Sequence, residues 1–170
     1  MKLQIAAIGS RPQTDFDALA GLYLGRIAAL LPGVGRGKAK AGAKSAIDAP
    51  VYRTEDAFWQ SVERERSRTA PLVVLLDERG RSLSSEAFAE WLGRERDRGR
   101  QMLLFAVGPA DGWSAASRQR PGVLLSLGPM TFAHELARVV LCEQIYRALT
   151  ILAGHPYHRA GSSKAEAGSL

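Results

Sequence analysis

His134 and Arg138 stand four residues apart with Glu135 between them, and Tyr157, His158 and Arg159 follow one another near the end of the 170-residue chain. A spacing of four puts His134 and Arg138 on one face of a helix. Imidazole titrates near neutrality, a guanidinium holds phosphate, and a phenol ring stacks on a nucleobase, so both groups suit proton handling and RNA contact. Two glycine signals accompany them. Gly108-Pro109 closes an apolar run, and Gly128-Pro129-Met130-Thr131-Phe132-Ala133 leads straight into His134. Glycine at a strand end lets backbone donors approach a ligand, and a helix N-terminus offers N–H groups that have no partner within the helix. Strand ends, a helix start and titratable side chains together describe a cofactor-dependent active site.

Other chemistries find little support. With one cysteine and three histidines, the chain has no metal-ligand spacing, so no metal is expected. Neither a nucleophile elbow nor a phosphate-binding loop motif occurs. Apart from Asp111 and Glu135, no acid is expected near the pocket, which disfavours hydrolysis by paired carboxylates. Cys142 reads as core filling, and Arg94, Arg96, Arg98 and Arg100 as cations suited to a helix C-terminus.

The elements that must position these residues alternate in type. Residues 2–8 read as a buried strand and 15–31 as a helix, with Phe16, Leu19, Leu22, Tyr23, Ile27 and Leu30 near helical spacing. Residues 32–46, rich in Gly, Ala and Lys, read as a flexible basic loop. A helix over 54–68 is capped by Thr54, and the run 72–76, ending at Asp77, is a strand covered on both faces. A helix opens at Ser84 and runs to about Arg98, a strand spans 102–107, a short helix 113–119 and a strand 123–125. The longest helix spans 131–152, with Thr131 or Ser126 as its cap, and residues 160–170 form a disordered tail. Three strand ends, at Leu76, Val107 and Leu125, then mark the pocket edge, where open α/β sheets bind ligands. The expected fold is α/β: one domain over residues 1–159 with a mainly parallel sheet and helices on both faces.

A net charge of +6, carried mostly by arginine, favours a polyanionic partner. No apolar run approaches the about 20 residues that span a bilayer, and a lone cysteine forms no intramolecular disulfide, so a cytoplasmic protein without a membrane partner is expected.

Read in order, the segments Met1-Lys2-Leu3-Gln4-Ile5, Leu76-Asp77-Glu78-Arg79-Gly80, Leu83-Ser84-Ser85-Glu86, 130–138, 143–148 and Tyr157-His158-Arg159 resemble the RlmH family. These are small SPOUT-class methyltransferases that modify N3 of a pseudouridine in 23S ribosomal RNA. The resemblance spans nearly the whole chain to Arg159 and is strongest from Leu72 onward. It implies a deep trefoil knot near the C-terminus (the α/β-knot), S-adenosylmethionine as cofactor, a homodimer, and ribosomal RNA rather than DNA as substrate. Carried over by position, Leu76, Gly108, Pro109, Gly128, Pro129, Met130, Thr131, Phe132 and Ala133 would hold the cofactor. His134 and Arg138 would face the RNA, and Tyr157, His158 and Arg159 would be catalytic, His158 handling the proton. The chain reads Gly108-Pro109-Ala110-Asp111-Gly112 where the family has Gly-Gly-x-x-Gly, and residues 32–67 match poorly. A non-catalytic RNA- or ribosome-binding protein on the same fold, and a methyltransferase for another RNA, are the competing readings.

Overall fold

A computed structural model of the chain describes residues 1–9, 14–31, 46–120 and 122–155. Its elements in chain order are β1 (Lys2–Ile8), α1 (Asp15–Leu30), β2 (Ile47–Asp48), β3 (Val51–Tyr52), α2 (Glu55–Arg66), β4 (Leu72–Ser82), α3 (Ser85–Asp97), β5 (Met102–Val107), α4 (Ala115–Arg118), β6 (Val123–Ser126) and α5 (His134–Leu152). All strand pairings are parallel, in the order β2-β1-β5-β4-β6 with β3 also against β1.

Side-chain alternation explains why the central strands are apolar throughout. On β5, Leu103, Phe105 and Val107 share one core with Ala20 and Ile27 of α1, Phe88 and Leu92 of α3, and Cys142 and Ile145 of α5. Leu104 and Ala106 face the other way, onto Phe58, Trp59 and Val62 of α2 and onto Trp113. The larger of these, the leucine, isoleucine, valine and phenylalanine side chains, contribute about 1.5–3 kcal/mol each on full burial, and a strand covered on both faces leaves no position for a polar residue. Helix starts follow the expected chemistry: Thr54 accepts from the Ala57 N–H and Ser84 from the Ala87 N–H, both at 3.1 Å.

Four details differ from the sequence reading. First, β4 does not stop at Leu76 but continues to Ser82. After a break in register, Arg81 and Ser82 pair with Leu125 and Ser126 of β6, so residues 77–80 bulge over β6. There the Gly80 backbone lies so close to β6 that a Cβ would sit 2.6 Å from the Leu125 backbone. Second, β2 and β3 have two residues each, too short to show a period in the sequence. Third, α5 begins at His134 rather than Thr131. Ala133 occupies the N-cap with no side-chain acceptor, and Ser126 instead closes the turn before the helix, donating to the Gly128 carbonyl and accepting from its N–H. Fourth, the α1 apolar stripe is only partly internal. Ala20 and Ile27 are buried, whereas Phe16, Leu19 and Leu22 are exposed. Helical spacing shows that a face needs cover; it does not show that the same chain supplies it. Residues 32–45 of the expected basic loop and the expected tail at 160–170 lie outside the described residues.

Candidate functional site

The ends of β4, β5 and β6 open onto one cleft of about 350 Å³, within the range of small-molecule sites. Of the residues expected at a cofactor site, Leu76, Gly108, Pro109, Gly128, Met130, Thr131 and Phe132 line it. Pro129 and Ala133 belong to the same loop but not to the wall. His134 reaches the cleft from the first turn of α5, with Ala137 one turn on.

Three local features shape this wall. Residues 109–112 form a tight turn in which the Gly112 N–H donates to the Pro109 carbonyl at 2.9 Å, and Gly112 sits at φ +79°, where a side chain would be strained. Pro109 stands beside the opening without filling it. The Trp113 indole packs under Gly108 and donates its N–H to the Leu76 carbonyl at 2.9 Å. The ends of β4 and β5 are thereby fastened together, and the ring leaves no room for a side chain at position 108. Gly128, at φ +133°, has open space where its Cβ would be, and the α5 N–H groups behind it meet no capping side chain. The bare backbone at Gly128 and a helix start without a side-chain cap put backbone donors beside a ligand-sized space. These residues fit an adenosyl-type cofactor.

The acids differ from expectation. Asp77 and Glu78 line the cleft along with Asp111, whereas Glu135 does not. Asp77 is occupied on both oxygens: the Arg79 N–H donates to Oδ1 at 2.9 Å and Arg118 Nε to Oδ2 at 2.6 Å. Burial alone would raise its pKa, but the Arg118 and Arg79 hydrogen bonds outweigh burial and hold it below the ordinary value. Asp77 is therefore a carboxylate that holds an arginine in place. The sequence carries no signal for this pair, because its members lie 41 residues apart. Trp113, placed on a short helix by the sequence, is instead a buried part of the wall.

Arg138, expected to face RNA, is buried, and its Nη1 donates to Asp17 of α1 at 2.8 Å. In this protomer it joins α5 to α1, leaving His134 as the member of the pair on the cleft. Tyr157, His158 and Arg159 lie outside the described residues. Cys142 is fully buried, which pushes its thiol up to about 11 and leaves it as core. Glu95, buried beneath the arginine cluster, is bridged by Arg98 at 2.8 Å and Arg100 at 3.4 Å. Among the described residues no group of side chains could hold a metal ion, and no helix is long and apolar enough to cross a membrane.

Comparison with known proteins agrees with this geometry. A family model described as "Predicted SPOUT methyltransferase" matches residues 1–158. The chain is 42% identical over 158 residues to a ribosomal RNA large subunit methyltransferase H of Koribacter versatilis, covering 93% of this chain and 98% of that one. It is also 42% identical over 163 residues to the protein of that name from Rhizobium meliloti, covering 94% and 100%. A solved structure of a probable methylase family protein from Haemophilus influenzae is similar in fold, with a TM-score of 0.51 at 12% identity over 91% of this chain and 69% of that one. The chain belongs to the SPOUT methyltransferases, in the family of ribosomal RNA large subunit methyltransferase H.

Proposed function

We propose that this protein is an S-adenosylmethionine-dependent methyltransferase that methylates N3 of a pseudouridine in 23S ribosomal RNA. The observation that carries the reading is the ligand-sized cleft where Leu76, Val107 and Leu125 of the sheet meet the start of α5, which has no side-chain cap, in a chain of this family. The cofactor supplies a methyl group already activated by its sulfonium. Leu76, the Gly108-Pro109 turn and the loop Gly128, Pro129, Met130, Thr131, Phe132 and Ala133 bind and orient it by backbone contacts. His134 stands on the rim, where the RNA enters. His158, aided by Tyr157, takes the imide proton, while Arg159 meets phosphate or the charge developing on a base carbonyl.

Chain geometry supports a homodimer in this reading. The 19 residues of α5 span about 28 Å at 1.5 Å per residue, starting at the cleft and leading away from it. At the far end His155 donates its N–H to the Thr150 carbonyl at 2.9 Å. A homodimer in which the Tyr157-His158-Arg159 ending of one copy serves the cleft of the other is part of this proposal. The exposed stripe of Phe16, Leu19 and Leu22, with Leu136 of α5, offers an apolar face for the second copy.

Two measurements test the reading. Calorimetry is expected to show S-adenosylmethionine binding at micromolar levels, and mass mapping of ribosomal RNA from cells lacking the protein to show one pseudouridine without its methyl. Silence at millimolar cofactor would instead favour the non-catalytic RNA binder, and an intact ribosomal RNA with a methyl missing elsewhere would favour another RNA target. Separately, His158→Ala is expected to lower kcat at least about tenfold with cofactor affinity unchanged within about twofold; unaltered turnover rejects its role as proton acceptor.

A further inference from the structure

Outside the cleft, a set of polar contacts centres on Glu55, the first residue of α2. Its Oε1 accepts from the Ser114 N–H at 2.9 Å, and its Oε2 accepts from the Ser114 hydroxyl at 2.7 Å and from the Ser117 hydroxyl. Ser117 Oγ receives the Trp59 indole N–H at 2.8 Å and so turns its own proton to Glu55. Ser114 Oγ accepts from the Ser117 N–H at 3.2 Å as the cap of α4, and likewise turns its proton to Glu55. Three hydrogen bonds converge on one side chain, an arrangement that favours an ionised carboxylate. Burial by itself raises the Glu55 pKa, yet the Ser117 and Ser114 hydrogen bonds, with Arg118 close by, bring it below the ordinary value.

The element held in this way cannot hold itself. α4 has four residues, far short of the roughly 12 that an isolated helix needs to be even marginal in water. Yet the segment around it carries the wall of the cleft, with Trp113 at one end reaching Leu76 and lying under Gly108, and Arg118 at the other reaching Asp77. We infer that Glu55 is a positioning residue: by pinning Ser114 and Ser117 from α2, it keeps Trp113 and Arg118 at the spacing that the ligand cleft requires. The cofactor part of this inference rests on the methyltransferase reading; the pinning of α4 does not.

The test uses Glu55→Gln in the full-length protein, because glutamine keeps the shape but turns an NH2 toward one of the donors. Hydrogen exchange without ligand is expected to rise at least about tenfold at the Ser117, Arg118 and Gln119 amides, while the amides of β1 and β5 stay protected as in the parent. Calorimetry is expected to show S-adenosylmethionine affinity down about tenfold with kcat at saturation within about twofold, a split that general destabilisation does not give. Parent-like exchange in α4, equal loosening of β1 and β5, or faster α4 exchange with unchanged affinity would each overturn the inference. Should the parent itself bind no S-adenosylmethionine, the cofactor reading falls, while α4 exchange still decides whether Glu55 holds that turn.

Discussion

Alanine at Gly80 is expected to remove a large part of the stability of the fold. Its Cβ would lie 2.6 Å from both the Leu125 carbonyl carbon and the Leu125 nitrogen, and 2.7 Å from the Leu124 carbonyl carbon. All three are backbone atoms of β6, so no side chain can swing aside. Either the 77–80 bulge lifts or β6 shifts, and both carry walls of the cleft. Overpacking of a well-filled interior costs about 1–3 kcal/mol where side chains can yield, and more where they cannot. We expect at least about 3 kcal/mol here, a large part of the stability of a domain this size. Urea unfolding followed by circular dichroism measures it. Gly21→Ala provides the control, because nothing lies within 4 Å of its added carbon and helical alanine gains up to about 1 kcal/mol over glycine. A Gly80→Ala midpoint equal to the parent's would disprove the close crossing of β4 and β6.

Alanine at Gly108 should act on the ligand more than on the fold. The added carbon would stand 2.9 Å from Trp113 Nε1 and 3.0 Å from the neighbouring ring carbons. That indole is not free to retreat, being 2% exposed, bonded to the Leu76 carbonyl and packed against Phe58 at a centroid distance of 5.6 Å. The turn must move outward into the space that the cofactor needs. A strain of about 1–3 kcal/mol placed on the bound geometry corresponds to roughly a 5- to 150-fold loss of S-adenosylmethionine affinity, readable by calorimetry. Affinity within twofold of the parent would show that the Gly108 wall does not contact the ligand.

How much of this could be read from the sequence depended on whether the cause was local. Met102 to Val107 announced a doubly covered strand because every position is apolar, and Thr54 and Ser84 announced helix starts because capping involves neighbours three residues away. The three strand ends and the loop before His134 were legible for the same reason. The bonds that set the shape of the cleft were not. Asp77 meets Arg118, Glu55 meets Ser117, and Arg138 meets Asp17, each across tens of residues, and nothing in the composition of either partner marks the other. Arg138 shows the difference plainly: its place four residues from His134 suggested a shared outward face, but an acid 121 residues earlier in the chain draws it inside. The start of α5 failed for a subtler reason, since Thr131 is a good capping residue in isolation, whereas Ser126 and Gly128 form a turn that delays the helix to His134.

The Asp17–Arg138 bridge couples two surfaces that otherwise look unrelated. Asp17 follows Phe16, a residue of the exposed apolar stripe of α1, and faces α5, where Arg138 lies one turn beyond the residue with which that helix enters the cleft. Breaking such a buried pair costs several kcal/mol, so the two helices move together. With a second copy seated on α1, occupancy of the cleft and subunit pairing would become linked equilibria, each strengthening the other by the same factor. Ligand affinity would then rise with protein concentration, and dilution alone would act as an inhibitor.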